Sequence, residues 1–301
     1  MPVFERLMAL LGLLVIGVGL RITGVLDDSR AARLNSLTYY VALPALIFIS
    51  TYQQSITELL SRALLEGLII VVVATVGLAW IIHRNASTQY RSVALVQSYH
   101  SNLGYLGLPL VAATFEARVT AIASVILGIV SLIQVPLTIL ILTMMSDANT
   151  RFHHELRRLV TNPVLLSLLV GLAVGSTGLA IPSVAATGLD ALGTLALPLA
   201  LLCVGSSLNV DLSAVDLSAT GWVVALKNGC MPALAWGVFS LLAVKPATFT
   251  ASVVMFGTPT AVSTFVYANE LGGDEQFASL NVFVTTFIST GTLFLLIRLV
   301  S

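Results

Sequence analysis

Charge is what this chain has least of. Of its 301 residues only 9% are Asp, Glu, Lys or Arg, where soluble domains carry about 25%. The apolar share is 57% and the mean hydropathy is +0.99. A water-soluble fold of this size cannot hide so much apolar surface, so the chain is expected to be an integral membrane protein. Its formal net charge is zero, which removes any general pull toward nucleic acid. Cysteine is nearly absent. Cys203 and Cys230 both sit inside apolar runs and read as small apolar fillers, not as a disulfide or a metal pair. Metal-ligand spacings such as HExxH are missing, and so is a GxSxG elbow. No metal, cofactor or catalytic residue is expected, and an intramembrane enzyme or receptor finds no constellation to support it. Extended two-residue alternation is missing too, which argues against a barrel.

What the chain does have is long apolar runs. A span needs roughly 20 apolar residues. Ten candidates follow: 3–20, 34–51, 63–82, 92–115, 120–144, 163–175, 184–208, 219–244, 249–268 and 277–300. The first could pass for a signal peptide. It lacks a basic leading segment, carries Glu5 before Arg6 and ends without a small-x-small site, so it is expected to be the first span.

The conspicuously hydrophilic connector, SDANTRFHHELRRLVTN at 146–162, falls at the midpoint. At an offset of 154 positions Gly17 meets Gly171, Gly24 meets Gly178 and Ala42-Leu43-Pro44 meets Ala196-Leu197-Pro198. Gly67 likewise meets Gly221, and Glu116 meets Glu270. This predicts a repeat, with 1–145 and 163–301 as its halves and 146–162 as linker. Five spans per half is an odd number, so the second half enters the membrane inverted, the plan of secondary transporters. Loop Lys and Arg set the orientation. Eight residues (Arg21, Arg30, Arg33, Arg84, Arg91, Arg151, Arg157, Arg158) share the linker's side, against five (Arg6, Arg62, Arg118, Lys245, Arg298). The expectation is a multi-pass plasma-membrane protein with a cytoplasmic linker and both termini outside. The sequon at Asn85 would then face the cytoplasm.

Two spans carry residues that a membrane helix avoids at its centre. The fourth holds Asn102, Gly104, Gly107 and Pro109 within SNLGYLGLPL. The ninth holds Gly257, Thr258 and Pro259 at the matching depth. Thr258-Pro259 reads as a helix start, with Thr as N-cap and Pro at the first helical position. Asn102 could likewise cap a half-helix beginning near Tyr105. Interruptions at matching positions in two halves point to a binding site. Each half-helix N-terminus offers free N–H groups and about half a positive charge, which favours an anion. The plainer alternative is that Gly and Pro serve packing or kinks. Pro44 and Pro198 fit that reading, and Pro44, Pro198 and Pro109 are the expected kinks or hinges.

The stretches YVALPALIF, NLGYLGLP, LALPLALLCVGSSL, LKNGCMPAL and PTAVSTFVYANELGGD resemble the auxin efflux carrier family of membrane transport proteins. That family includes the plant PIN carriers and bacterial malonate and malate transporters. The resemblance runs along nearly the whole chain. It implies an all-α membrane fold related to the bile acid/sodium symporters, with ten helices in two inverted five-helix repeats. It also implies an elevator, in which helices one, two, six and seven form the scaffold and helices three to five and eight to ten carry substrate. Helices four and nine would be broken and cross at the substrate site. Transferred to this chain, that site centres on Asn102, Gly104, Tyr105, Thr258, Pro259 and Thr260. The short central linker sets this chain apart from the plant PIN carriers.

Lys227 is the clear charge inside a span, with Asn228 beside it. Either Lys227 snorkels, or its ammonium faces an anion or a half-helix C-terminus near the crossing. Glu66 lies about a turn inside the third span, where it could snorkel or support the site, and depth argues against a direct pair with Lys227. Gln97 and His100 could line the cavity; for His100, a hydrogen-bonded packing role is the alternative. Gln134 and Asn281 could join helices. The leading reading is a secondary transporter of a small organic anion, a carboxylate, by alternating access. The alternative is a symporter coupled to sodium or protons. A channel fits two closed, crossing half-helices poorly. The expected partners are the organic anion, the lipid bilayer, a coupling cation or proton, and a second copy through the scaffold helices.

Overall fold

The structure, a computed structural model, describes residues 3–145, 157, 159–207 and 217–301. Its elements are helices: α1 (Val3–Ile22), α2 (Asp28–Thr51), α3 (Arg62–Ile82), α4 (Thr88–Tyr99), α5 (Leu103–Thr114) and α6 (Ala117–Met145). After the linker come α7 (Pro163–Thr177), α8 (Ser183–Ser207), α9 (217–241), α10 (Pro246–Phe256), α11 (Ser263–Glu270) and α12 (Glu275–Val300). No strand forms among the described residues. Among the described residues five helices (α2, α3, α6, α8 and α12) are long and apolar enough to cross a membrane. The linker lies largely outside the described residues. The helices follow the apolar runs closely. The fourth and ninth runs each fold as two collinear-in-sequence pieces, α4 with α5 and α10 with α11.

The bundle packs in two groups. In one, α1 lies along α8, and α2 lies against α7 and α8. In the other, α3, α4, α5 and α6 pack with α9, α10, α11 and α12. Apolar burial gains little between helices surrounded by lipid, so close backbone approach carries the packing. Glycines permit it. A Cβ on Gly17 of α1 would sit 2.7 Å from the Leu202 carbonyl oxygen and 3.1 Å from the Gly205 Cα of α8. A Cβ on Gly171 of α7 would sit 3.3 Å from the Phe48 carbonyl oxygen of α2 and meet Thr51 as well.

Three of the prolines inside helices follow a local widening of the helix, whereas Pro136 lies within the regular α-helix of α6. A π-helical stretch covers Thr38–Ala42 just before Pro44, Leu103–Gly107 just before Pro109, and Ala225–Cys230 just before Pro232. Proline has no N–H to give to residue i−4, and its ring collides with that carbonyl. One extra residue per turn moves the carbonyl away. Pro198 instead follows the end of the helix Ser183–Thr194, where α8 restarts at Ala196.

Candidate functional site

The two interruptions meet. α4 ends at Tyr99 and α5 starts at Leu103; α10 ends at Phe256 and α11 starts at Ser263. Between them Ser101 and Thr260 face each other as an antiparallel bridge. The Asn102 N–H donates to the Pro259 carbonyl at 2.8 Å, and the Ala261 N–H donates to the His100 carbonyl at 2.9 Å. Ser101, Asn102, Thr258 and Thr260 are all buried. Buried backbone must be paired, and at membrane depth a non-helical segment survives only inside protein or beside a wet cavity. Here each break supplies the other's partners.

Side chains satisfy much of the remainder. The Asn102 carboxamide oxygen accepts the Tyr105 N–H at 3.3 Å and so caps α5. Asn102 Nδ2 is buried without a partner among the described residues. Gln134 Nε2 donates to the Tyr99 carbonyl at 2.8 Å, and Thr260 Oγ1 donates to the Gln97 carbonyl at 2.7 Å. Gln97 Nε2 donates to Thr264 Oγ1 at 3.1 Å and to the Ala278 carbonyl at 2.9 Å, while Asn281 donates to its oxygen at 2.8 Å. That amide therefore joins α4 to α11 and α12. Asn228 Nδ2 donates to the Thr285 carbonyl at 2.9 Å, joining α9 to α12.

Lys227 is fully buried, so it does not snorkel. Its ammonium donates to the Phe256 carbonyl at 3.1 Å and lies 3.2 Å from Met231 Sδ. Phe256 is the last residue of α10. The cation thus sits at a half-helix C-terminus, where free carbonyls and the helix dipole favour positive charge.

Two expectations are corrected. Thr258-Pro259 does not start a helix. Thr258 Oγ1 donates backwards to the Met255 carbonyl at 2.7 Å, and α11 begins only at Ser263. A threonine hydroxyl can serve an ending helix as well as a beginning one, and Pro259 gives its carbonyl to the bridge. Glu66 does not support the site. It pairs with Arg62 at 2.6 Å on the surface, the i, i+4 neighbour on its own helix.

A cavity of about 910 Å³ reaches the crossing. Asn102, Gly104, Tyr105 and His100 line it from the first break; Ala261, Val262 and Ser263 line it from the second. Thr258, Pro259 and Thr260 build the clip behind the wall. The cavity thus meets the N-terminal ends of both α5 and α11. It extends past Asp28, Asn162 and Glu275, at the N-terminal ends of α2, α7 and α12. Tyr105 donates its phenol to Asn35 of α2 at 2.5 Å. Tyr39 and Tyr267 also line the space. Tyr39, Tyr267 and Asn35 carry no local sequence signal, because only the tertiary fold faces them inward.

Comparison with known proteins points to membrane transport. The chain is 25% identical to a Methanothermobacter thermautotrophicus protein named "Uncharacterized transporter", over 95% of this chain and 94% of that one. It is also 25% identical to a Rhizobium meliloti protein named "Putative malonate transporter", over 86% of this chain and 83% of that one. Residues 2–297 match the family described as Membrane transport protein. A match over nearly the whole length makes the chain a member of that family, the auxin efflux carrier group its motifs resemble, and hence a multi-pass membrane transporter and not an enzyme.

Proposed function

We propose that the chain is a secondary transporter of a small organic anion, a carboxylate, bound where the two broken helices cross. The observation that carries this reading is the cavity meeting the N-terminal ends of both α5 and α11 at the clipped breaks. N–H groups and dipole together favour an anion there. The Rhizobium meliloti relative's name fits a carboxylate. Asn102, Gly104 and Tyr105 form the first wall of the site, and Thr258, Pro259 and Thr260 hold the second break in place. Lys227 keeps the carbonyl end of α10 neutralised, so the crossing presents donors and not acceptors.

Alternating access follows from a ten-span plan in two inverted repeats, 1–145 and 163–301. Support comes from the scaffold contacts. Gly17 against Leu202 and Gly205 matches Gly171 against Phe48 and Thr51, with each of the three residues displaced by the same 154 positions. The mutual packing of α1, α2, α7 and α8 fits a scaffold past which the remaining helices move as an elevator. The Lys and Arg count favours a cytoplasmic linker in a plasma-membrane protein, and the scaffold is the surface that would join two copies.

The test is uptake into proteoliposomes of a labelled panel: acetate, malonate, malate and indole-3-acetate. Saturable uptake of at least one, absent from empty liposomes, is expected. Monodisperse protein that carries none of them would refute the carboxylate reading.

A further inference from the structure

His100 lies at the end of α4, 5% exposed, on the cavity wall. Its Nδ1 is 2.7 Å from Thr138 Oγ1 of α6. The same hydroxyl is 2.9 Å from the phenol of Tyr99, a fully buried residue. Hydrogen positions follow from a count of donors and acceptors. The phenol has one hydrogen, and Thr138 Oγ1 is its one partner among the described residues. A buried donor must be satisfied, so Tyr99 donates to Thr138. The threonine hydrogen then goes to its other neighbour, and Nδ1 of the neutral ring is an acceptor. That puts the ring's own hydrogen on Nε2. This nitrogen has no protein partner among the described residues, on a ring that lines the cavity.

We propose that the relay from Tyr99 through Thr138 fixes His100 as the Nε2–H tautomer and that this N–H donates to the bound carboxylate. His100 is then a binding residue; Tyr99 and Thr138 are positioning residues. The inference rests on the anion reading above and adds one specific donor to it. The two breaks supply backbone N–H groups common to any anion. His100 adds a side-chain donor whose hydrogen is placed before the ligand arrives, so no tautomer change is needed on binding.

The experiment has two arms on the full chain in nanodiscs. In the first, nitrogen NMR of histidine-labelled protein at pH 8 reads the tautomer, with the His100 signal assigned by its loss in His100→Gln. The Nε2–H form is expected in wild type, and a mixture of tautomers in Tyr99→Phe, which keeps the ring's shape and removes the donor. An Nδ1–H wild type would overturn the relay. In the second arm, the member of the carboxylate panel carried by wild type is titrated into each variant. His100→Phe should weaken binding about ten- to a hundredfold, the usual loss for a hydrogen bond to a charged group. His100→Gln, whose amide N–H can occupy the position of Nε2–H, should recover most of that loss. Wild-type affinity in monodisperse His100→Phe would overturn the contact. If wild type itself binds no carboxylate, the transport reading fails before any variant is made, and the first arm still decides the relay.

Discussion

At the scale of single residues, the crossing is a problem of unpaired backbone groups, which side chains such as Asn102 and Lys227 help to solve. Asn102 caps α5. Losing the cap costs about 1 kcal/mol. Losing a hydrogen bond to a charged ligand costs about 1.5–3 kcal/mol. Asn102→Ala should therefore weaken anion binding by about one to three orders of magnitude at 1.4 kcal/mol per tenfold, as calorimetry would read. Lys227 holds the Phe256 carbonyl. Lys227→Ala should abolish transport and lower the melting temperature, since a buried carbonyl left unpaired costs about 1–3 kcal/mol. Lys227→Arg should recover little, because a planar fork does not fit where a compact ammonium sits against one carbonyl. Normal transport by Lys227→Ala in proteoliposomes would contradict this role. Asn102 was legible in the sequence because an N-cap acts on a backbone N–H three residues away. Thr258 was misread because its hydroxyl could serve either neighbouring helix, and the chain leaves α10 for the bridge between Thr260 and Ser101 instead of starting a helix. The partner of Lys227 was narrowed to two classes, and the carbonyl it bonds lies 29 positions along the chain, beyond any local pattern.

At the scale of helices, glycine separates packing from conformational freedom. A Cβ on Gly205 would meet the Leu14 carbonyl of α1 and lie 3.0 Å from the Gly17 Cα. Gly205→Leu should force α1 and α8 apart and destabilise the protein by about 1–3 kcal/mol or more. Gly188, also in α8, has nothing within 4 Å of an added Cβ. Gly188→Ala should be neutral or raise stability by about 0.5–1 kcal/mol. Thermal unfolding of the two variants would read the contrast, and equal behaviour would contradict the close packing of α1 on α8. The helices themselves were legible, since apolar runs and their Gly and Pro punctuation mark where spans begin, end and break. The π-helical stretches before Pro44, Pro109 and Pro232 were not, because one extra residue in a turn leaves the apolar pattern unchanged.

At the scale of the whole molecule, orientation and alternating access are separable claims. The Lys and Arg count predicts a cytoplasmic position for 146–162. A cysteine introduced as Thr150→Cys, outside the described residues, should resist an impermeant thiol reagent in intact cells and react once the cells are opened. Ready labelling in intact cells would reverse the orientation and leave the site untouched. The site itself rests on the cavity at the crossing, and Gly104 tests it with the least collateral change. It lines the cavity, and an added Cβ would have only Leu127 Cδ1 near it, at 3.9 Å. Alanine fits there, whereas leucine projects into the space the anion would occupy. The decisive measurement is calorimetric affinity of the transported carboxylate for wild type, Gly104→Ala and Gly104→Leu, all monodisperse. The prediction is near wild-type affinity for Gly104→Ala and a loss of tenfold or more for Gly104→Leu. Wild-type affinity in Gly104→Leu would contradict it, leaving the breaks as packing devices with the anion bound elsewhere.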